Sequence, residues 1–272
     1  MSSRPLRSLL QTIIEPVDQE VVVATSSGID SHSVVMSAVD CGKTVTVTSF
    51  TLDDRRSTDF KHAQRLAKHL SLKFVPVIIP TDPLRLLEDT CDIIRTHLTS
   101  RKVTIECVVP FLYLFQELPE SATLLTGLGA DSHFGLGKKA MMHYRYPIEK
   151  LQEYKAAYYS DPTRQGGHLP ELGVFAERRQ IKLVHPYMDS SIRDLWWGLT
   201  WDELNKPRQK EVIRREFPEV EENVRLHTPL QLGDSGLAQF IGECVRSQVT
   251  PEAKSPRSAY NHLLRLAKQD RL

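Results

Sequence analysis

Small and hydroxyl-bearing residues follow the apolar run at residues 21–24, among them Ser26, Ser27, Gly28 and Ser31. In a turn from a buried strand into a helix, such residues let backbone N–H groups approach phosphate oxygens, and the helix N-terminus adds partial positive charge. The serine hydroxyls can donate further hydrogen bonds. We name residues 26–31 the serine loop, which the sequence predicts to bind phosphate, although a serine-capped turn would also account for it alone.

Two carboxylates, Asp30 and Asp131, accompany loops of this kind. Asp30 belongs to the serine loop, where a carboxylate beside phosphates is compatible with a magnesium ion between them. Asp131 follows Thr126 and Gly127 in a second glycine-containing segment, residues 126–137, and we name its first part, residues 126–131, the glycine loop. If both loops leave adjacent strands they face one crevice, and Asp30 and Asp131 then hold one magnesium ion from both sides. The glycines alone could equally be tight turns.

The elements that must position these loops follow from the hydrophobic pattern. Apolar, β-branched runs predict strands, and between them apolar residues recur at helical spacing. The predicted strands are residues 21–24, 44–50, 74–79 and 123–126. Strands that alternate with helices predict an α/β fold with a doubly wound parallel sheet.

The pattern becomes helical after about Met141, which predicts a C-terminal helical lobe. The predicted helices are residues 148–159, 191–199, 201–217, 237–247 and 258–268. We therefore expect an α/β core over residues 1–140 and a mainly helical part over residues 141–272. Residues 161–170 contain two glycines and two prolines, which favours a flexible loop that could serve as a lid.

Composition narrows the classes of partner. The 272 residues carry 35 basic and 34 acidic side chains, so no overall charge favours nucleic acid or a membrane as the main partner. Local basic clusters leave nucleic acid open, and a homodimer is also open. The four cysteines form no CxxC pair, which argues against a zinc site or a disulfide framework and fits a reducing cytoplasm. No apolar run approaches the length of a membrane span.

Taken in order, these segments resemble the synthetase domain of asparagine synthetases and β-lactam synthetase, members of the N-type ATP-pyrophosphatase group. The family's SGGxDS pyrophosphate loop corresponds to SSGIDS at residues 26–31, and its SGEGxDExFGGY segment to TGLGADSHFGLG at residues 126–137. Its PFLD segment corresponds to PYMD at residues 186–189, and Lys210 precedes a helix as a family lysine does. The resemblance implies an adenine nucleotide alpha hydrolase-like fold.

The resemblance also implies a reaction that uses ATP and Mg²⁺. A small-molecule carboxylate attacks the α-phosphorus to give an acyl-adenylate and pyrophosphate, and an amine donor then gives an amide and AMP. Asp30 and Asp131 hold the metal, and Lys210 neutralises charge on the leaving pyrophosphate. The implied ATP-binding residues are Ser26, Ser27, Gly28, Asp30, Ser31, Thr126 and Gly127, and the implied catalytic residues are Lys210, Asp131 and Asp30.

Several positions depart from the family pattern. Ser27 replaces the first glycine of the pyrophosphate loop, which asks a residue with a side chain to take a conformation that glycine takes freely. Leu128 and Ser132 stand where the family has acidic residues, so the aspartate-to-asparagine reaction is not expected. The N-terminal residues lack the nucleophilic cysteine of a glutaminase domain. The amine is therefore expected from solution, a substrate or a separate glutaminase subunit.

Three residues near Leu128 are candidates for a replacement base, namely His133, His143 and Tyr144. Two other functions remain open alongside the amide-forming ligase. One is an adenylating enzyme that modifies a nucleobase or tRNA, and the other is a nucleotide-binding subunit of a modification complex without turnover. Retention of Asp30, Asp131 and Lys210 together favours catalysis, because a scaffold has no physical need for that set.

Overall fold

A sheet of five parallel strands lies at the centre of the described chain. The computed structural model describes residues 5–134, 148–160, 169–223, 235–249 and 253–272. The strands are β1 (Glu20–Ala24), β2 (Thr44–Leu52), β3 (Lys73–Ile79), β4 (Thr123–Thr126) and β5 (Lys182–Val184). Their spatial order is β3-β2-β1-β4-β5, with every neighbouring pair parallel.

Helices cover both faces of this sheet. In the first half of the chain they are α1 (Leu6–Ile14), α2 (Ile29–Asp40), α3 (Thr58–His69), α4 (Pro83–His97), α5 (Lys102–Glu117) and α6 (Ala130–Phe134). In the second half they are α7 (Ile148–Ser160), α8 (Leu169–Arg178), α9 (Ser190–Gly198), α10 (Trp201–Asn205), α11 (Glu211–Glu216), α12 (Leu237–Val249) and α13 (Pro256–Ala267). Pro186–Met188 and Pro218–Asn223 form short 3₁₀ turns.

The alternation of side chains along the strands produces two hydrophobic cores. Val21 and Val23 of β1 pack on one face with residues of α1, α2 and α3. Val22 and Ala24 contact the opposite core, to which α4, α5, α12 and α13 contribute. Successive side chains of a strand point to opposite faces, so a strand covered on both sides is apolar throughout. The predicted doubly wound parallel sheet is confirmed.

The pattern did not predict five elements, namely α4, α5, β5, α6 and α8, and the last of these begins at Leu169, within the expected lid. Helix α5 is buried continuously from Thr104 to Phe115, so it has no polar face to give the spacing of an amphipathic helix. Helix α4 has such a face, with Leu86, Thr90, Ile93 and Ile94 buried, and its pattern was overlooked. Strand β5 has only 3 residues and pairs with β4, which extends the sheet with a segment from the second half of the chain.

The prediction of one helix over residues 201–217 is wrong. Two short helices, α10 and α11, occupy this stretch, and Pro207 lies between them. Proline lacks a backbone N–H and its ring clashes with the preceding turn, which disfavours a continuous helix here, although the longer helix α5 includes Pro110. The break lets Lys210 adopt the left-handed conformation, with φ of 60°, immediately before α11.

The remaining expectations about the second half have different outcomes. Helices α7, α9, α12 and α13 lie within two residues of their predicted bounds at most ends. The division at residue 140 and most of the expected lid, residues 161–168, lie outside the described residues, so both stay predictions. Within the described residues, no helix is long and apolar enough to cross a membrane.

Candidate functional site

The serine loop and the glycine loop meet at the carboxyl edge of the sheet. Strands β1 and β4 are neighbours, and their last residues, Ala24 and Thr126, are paired in register. A Cβ atom on Gly127 would come within 2.7 Å of the backbone carbon of Asp30 and the backbone nitrogen of Ser31. Only glycine fits such an approach of two backbones. This is the point at which the strand order reverses, where open α/β sheets bind ligands.

Lys210 connects the two predicted carboxylates. Its Nζ atom lies 2.5 Å from an oxygen of Asp30 and 2.5 Å from an oxygen of Asp131. The lysine is only 3% exposed. The structure therefore brings together the three residues to which the sequence assigned catalysis, although they are separated by up to 180 positions in the chain.

Burial and charge act in opposite directions on this lysine. Burial by itself lowers the pKa of Lys210, but the negative charges of Asp30 and Asp131 outweigh it, and the net pKa lies above the ordinary value. Lys210 is therefore protonated at neutral pH. One positive charge thus contacts two carboxylates.

The two carboxylates beside Lys210 are chemically suited to bind Mg²⁺. Asp30 and Asp131 supply hard carboxylate oxygens on either side of one nitrogen, and the side chain of Asp131 is 49% exposed, which gives access from solvent. Within the described residues, no group of three or more His, Cys, Asp or Glu side chains gathers as a complete metal site. A magnesium ion here would depend on phosphate oxygens for its remaining ligands, as is usual for nucleotide-bound Mg²⁺.

Hydrogen bonds within the serine loop hold its conformation. The backbone N–H of Ser26 donates to Oγ of Ser31 at 3.1 Å, and the N–H of Gly28 donates to Oγ of Ser26 at 3.0 Å. The hydroxyl of Ser31 donates to the carbonyl of Gly28 at 3.1 Å. These serine hydroxyls lie at the N-terminus of α2, where they can exchange internal hydrogen bonds for bonds to an anion.

The expectation that Ser27 must adopt a glycine-like conformation is wrong. Ser27 is not among the residues with positive φ in the described part of the chain. Its N–H lies 3.2 Å from Oδ1 of Asp59, and its hydroxyl also donates to that oxygen. The side chain is thus accommodated by a partner on α3, which the sequence indicated only as a residue near the start of a helix.

The segment at residues 185–189 contacts the glycine loop directly and the serine loop through Ser33. The hydroxyl of Tyr187 lies 2.6 Å from Oγ of Ser33, which donates to the carbonyl of Asp30 at 2.8 Å. Burial, followed by the negative charge of Asp30, raises the pKa of Tyr187 well above its ordinary value. Tyr187 therefore remains a neutral hydroxyl that braces the start of α2.

Two neighbours in this segment contact the glycine loop. His185 Nδ1 lies 2.6 Å from Oγ1 of Thr126. A Cβ atom on Gly129, whose φ is 96°, would come within 2.5 Å of Sδ of Met188. Asp189 caps α9 by accepting from the N–H of Ser191 at 2.8 Å. The PYMD segment is therefore a support for the site, and its aspartate serves a helix terminus.

Of the three candidate replacement bases, the structure describes only His133, which is buried in the core. His133 is 1% exposed, its ring lies 5.1 Å from that of Trp196, and burial lowers its pKa to about 4. It is a core histidine that stays neutral at neutral pH. His143 and Tyr144 lie outside the described residues. Leu128 packs against the core that contains α4 and α5, so the structure supplies no carboxylate at that position.

Sequence reasoning missed His32, Asp59, His185 and Tyr187 as residues of this site. The sequence pattern indicates Asp59, like Ser57 and Thr58, only as a residue able to cap a helix, and Tyr187 only as part of the PYMD segment. Signals existed for two of them, because Asp59 lies in the first turn of a helix that already has Ser57 as its cap, and a tyrosine replaces the phenylalanine of the PFLD segment. Nothing in the sequence pattern points to His32 or His185.

The family model described as asparagine synthase matches residues 6–182, which is more than half of the chain. Among solved structures, NMN synthetase from Francisella tularensis matches with 15% sequence identity over 82% of this chain and 95% of that chain, at a TM-score of 0.32. A TM-score of that size supports no conclusion about function. Comparison with curated proteins gives no significant match.

Proposed function

The chain belongs to the asparagine synthase family, and on that premise we propose that it is an ATP-dependent synthetase that activates a carboxylate by adenylation. The observation that carries this proposal is the contact of Lys210 with both Asp30 and Asp131 at the switch point of the sheet. Two loops and a third segment converge there to place one ammonium between two carboxylates. Structural stability alone offers no reason to gather these charges in a crevice.

In the proposed reaction, ATP binds with its triphosphate over the serine loop. Ser26 and Ser31 donate hydroxyl hydrogen bonds to phosphate oxygens, and the N-terminus of α2 contributes its partial charge. Thr126 and Gly127 line the other side of the crevice, and Gly127 lets the two loops come close enough to share one ligand. The serine loop and the glycine loop thus enclose the phosphates from two sides.

Asp30 and Asp131 would hold Mg²⁺, which when bound neutralises charge on the triphosphate. A nucleotide without a metal ion would bring its negative charge against these two carboxylates, which is unfavourable. Binding of ATP is therefore expected to depend on Mg²⁺.

Lys210 would act on the leaving group. An oxygen of the substrate carboxylate attacks the α-phosphorus, the bond to the bridging oxygen of the β-phosphate breaks, and pyrophosphate leaves with the electron pair. An ammonium that remains charged at neutral pH stabilises this developing charge. An amine then attacks the acyl-adenylate, which forms an amide and releases AMP. The carboxylate, the amine donor and a separate glutaminase subunit are the proposed partners.

Exchange of labelled pyrophosphate into ATP tests the proposal. The purified protein is incubated with ATP, Mg²⁺ and a panel of amino acids, other carboxylates and RNA, and a carboxylate that supports exchange identifies the substrate. Exchange supported only by RNA would favour a nucleobase-modifying enzyme. Binding of Mg-ATP with no exchange across the panel would contradict the proposal and favour a subunit without turnover.

Two variants connect any exchange to the site. Lys210→Ala should depress exchange by at least about a hundredfold with a smaller effect on ATP affinity, since its role is in the transition state. Lys182→Ala is the matched control, because Lys182 is an exposed lysine at the amino end of β5, on the opposite edge of the sheet. Equal effects of the two substitutions would rule out the role assigned to Lys210.

A further inference from the structure

The peptide bond between Ser26 and Ser27 is held on both sides. Its carbonyl oxygen lies 2.9 Å from Nε2 of His32, and its N–H donates to Oδ1 of Asp59 at 3.2 Å. The C=O and N–H of a trans peptide point in opposite directions, so partners at both groups fix the rotation of the peptide plane. This peptide is the first of the serine loop, and the orientation of its plane sets the direction of the residues that follow.

The histidine side of this arrangement is buried and neutral. His32 is fully buried within α2, and burial lowers its pKa to about 4. At neutral pH the imidazole therefore carries one proton, and the carbonyl of Ser26 is the acceptor that places this proton on Nε2. The bond from His32 to Ser26 thus persists at neutral pH.

The position of Asp59 is set by the N-terminus of α3. Asp59 lies in the first turn of α3, whose N-cap is Ser57, with Oγ of Ser57 accepting from the N–H of Phe60 at 3.1 Å. Because Ser57 caps the helix, Asp59 directs one carboxylate oxygen to Ser27 instead. Asp59 also places its negative charge at a helix N-terminus, where such a charge favours the helix.

We propose that Asp59 is a positioning residue for the nucleotide, which acts with His32 to clamp the Ser26–Ser27 peptide and keep the serine loop open to phosphate. The inference rests on the proposed function, since it concerns the same loop. It reassigns Ser27 from the phosphates to the clamp, because both the N–H and the hydroxyl of this residue bind Asp59.

The hydroxyl of Ser27 is part of the clamp, because it donates to Asp59. A glycine there would keep the N–H bond to Asp59 and lose the hydroxyl bond. Ser27→Gly should therefore weaken Mg-ATP binding a few-fold, although it restores the residue of the family motif. If Ser27 were only a steric departure from the family's glycine, Ser27→Gly would instead strengthen Mg-ATP binding. The direction of the change therefore distinguishes the two explanations.

Amide hydrogen exchange without nucleotide tests the clamp itself. Asp59→Ala should increase exchange of the Ser27 amide by about tenfold or more, because a hydrogen bond to a charged group is lost. Asp59→Asn keeps an acceptor oxygen and should give a smaller increase. Asp82→Ala is the control, since Asp82 caps α4 by accepting from the N–H of Leu84 and lies beyond the edge strand β3. Unchanged exchange at Ser27 in Asp59→Ala would overturn the clamp.

Affinity for Mg-ATP, measured by calorimetry, tests whether the clamp positions the nucleotide. Asp59→Ala should weaken binding by about tenfold or more, and Asp59→Asn should recover part of that loss. In the Asp59→Ala background, Ser27→Ala should have less than about a twofold further effect, because the partner of its hydroxyl is already absent. Additive effects, or affinity unchanged by Asp59→Ala, would overturn the positioning role.

The two measurements separate this inference from the proposed function. If the unsubstituted chain binds no Mg-ATP, the proposed function and the positioning role both fail, while exchange at Ser27 still decides whether the clamp exists. If Mg-ATP binds normally to every variant, the positioning role fails, while the proposed function is still decided by the exchange of pyrophosphate.

Discussion

Replacing Lys210 with methionine would test the centre of the site most directly. Methionine nearly matches the length of the lysine stem and removes the charge and its donors. The lysine side chain is 4% exposed, and it lies 2.5 Å from Asp30, which is 15% exposed, and from Asp131, which is 49% exposed. The substitution leaves the buried carboxylate of Asp30 without its ammonium partner.

The expected cost follows from these exposures. Removing one partner of a buried ion pair costs about 3–5 kcal/mol, because the other charge stays buried and uncompensated. Asp30 retains some contact with solvent, so the lower value applies, and the half-exposed Asp131 adds only about 0–1 kcal/mol. We expect the free energy of unfolding to fall by about 3 kcal/mol. For a chain of this size, that lowers the thermal midpoint by roughly 6–12 °C.

The pH dependence has a definite sign. The pKa of Lys210 is raised in the folded state, so its contribution is fully present below its unfolded pKa of 10.5 and is lost as the pH rises through the higher folded value. The difference in stability between the original chain and Lys210→Met should therefore be constant from pH 7 to about 10 and shrink above that.

Thermal unfolding followed by circular dichroism measures this difference. Added Mg²⁺ should recover part of the loss in Lys210→Met, since the two remaining carboxylates make a site of hard oxygen ligands. Lys182→Met, which removes an exposed lysine, should stay within about 0.5 kcal/mol of the original chain. A Lys210→Met protein as stable as this control would refute the burial of Lys210 between the carboxylates.

Three further substitutions probe the surroundings of the site. Gly127→Ala should abolish Mg-ATP binding in calorimetry, because the added Cβ would lie 2.7 Å from backbone atoms. Gly173→Ala is the control, since no atom lies within 4 Å of its added Cβ. It should bind Mg-ATP normally and raise the free energy of unfolding in urea by about 0.5–1 kcal/mol. Tyr187→Phe removes a buried hydroxyl that forms a hydrogen bond with Ser33, so the free energy of unfolding should fall by about 1 kcal/mol in the same assay. Pyrophosphate exchange should stay within about threefold. A loss of about a hundredfold would show that the hydroxyl acts in the chemistry. Burial lowers the pKa of His133 to about 4, so its stabilising contribution is present above pH 6.5 and lost as the pH falls through 4. His133→Phe should therefore flatten the fall in thermal midpoint across that range, and an unchanged slope would contradict the assignment.

The sheet and the two loops could be predicted because their signals are local. Residues 21–24 and 123–126 are short apolar runs bounded by glycine and serine, and a parallel sheet requires the loops after them to share an edge. Helix α5 could not be read in the same way, because it is buried on every side and its apolar residues have no periodic gap. The break before Lys210 could have been predicted, since Pro207 lies in the middle of the helix that was assigned there.

The contacts between the loops and the rest of the chain could not be predicted from spacing. Asp59 is separated from Ser27 by 32 positions, and Tyr187 from Ser33 by 154. A pattern shows which residue types are present and which element holds them. It does not give the distance between side chains on different elements, and so it assigned Ser27 to the phosphates without indicating a partner within the protein.

Stability and function are coupled in this site because the same three side chains serve both. Without nucleotide, Lys210 contacts both Asp30 and Asp131, and its removal is expected to destabilise the fold. In the proposed reaction the carboxylates turn to Mg²⁺ and the ammonium to the leaving pyrophosphate, so each charge exchanges one partner for another. Any substitution among the three therefore changes the folded state before it changes the chemistry. Asp30→Asn keeps an oxygen that can accept from Lys210 and loses the negative charge that Mg²⁺ needs. It should therefore retain more stability than Lys210→Met and yet lose Mg²⁺-dependent turnover, and that separation is what distinguishes a catalytic carboxylate from a structural one.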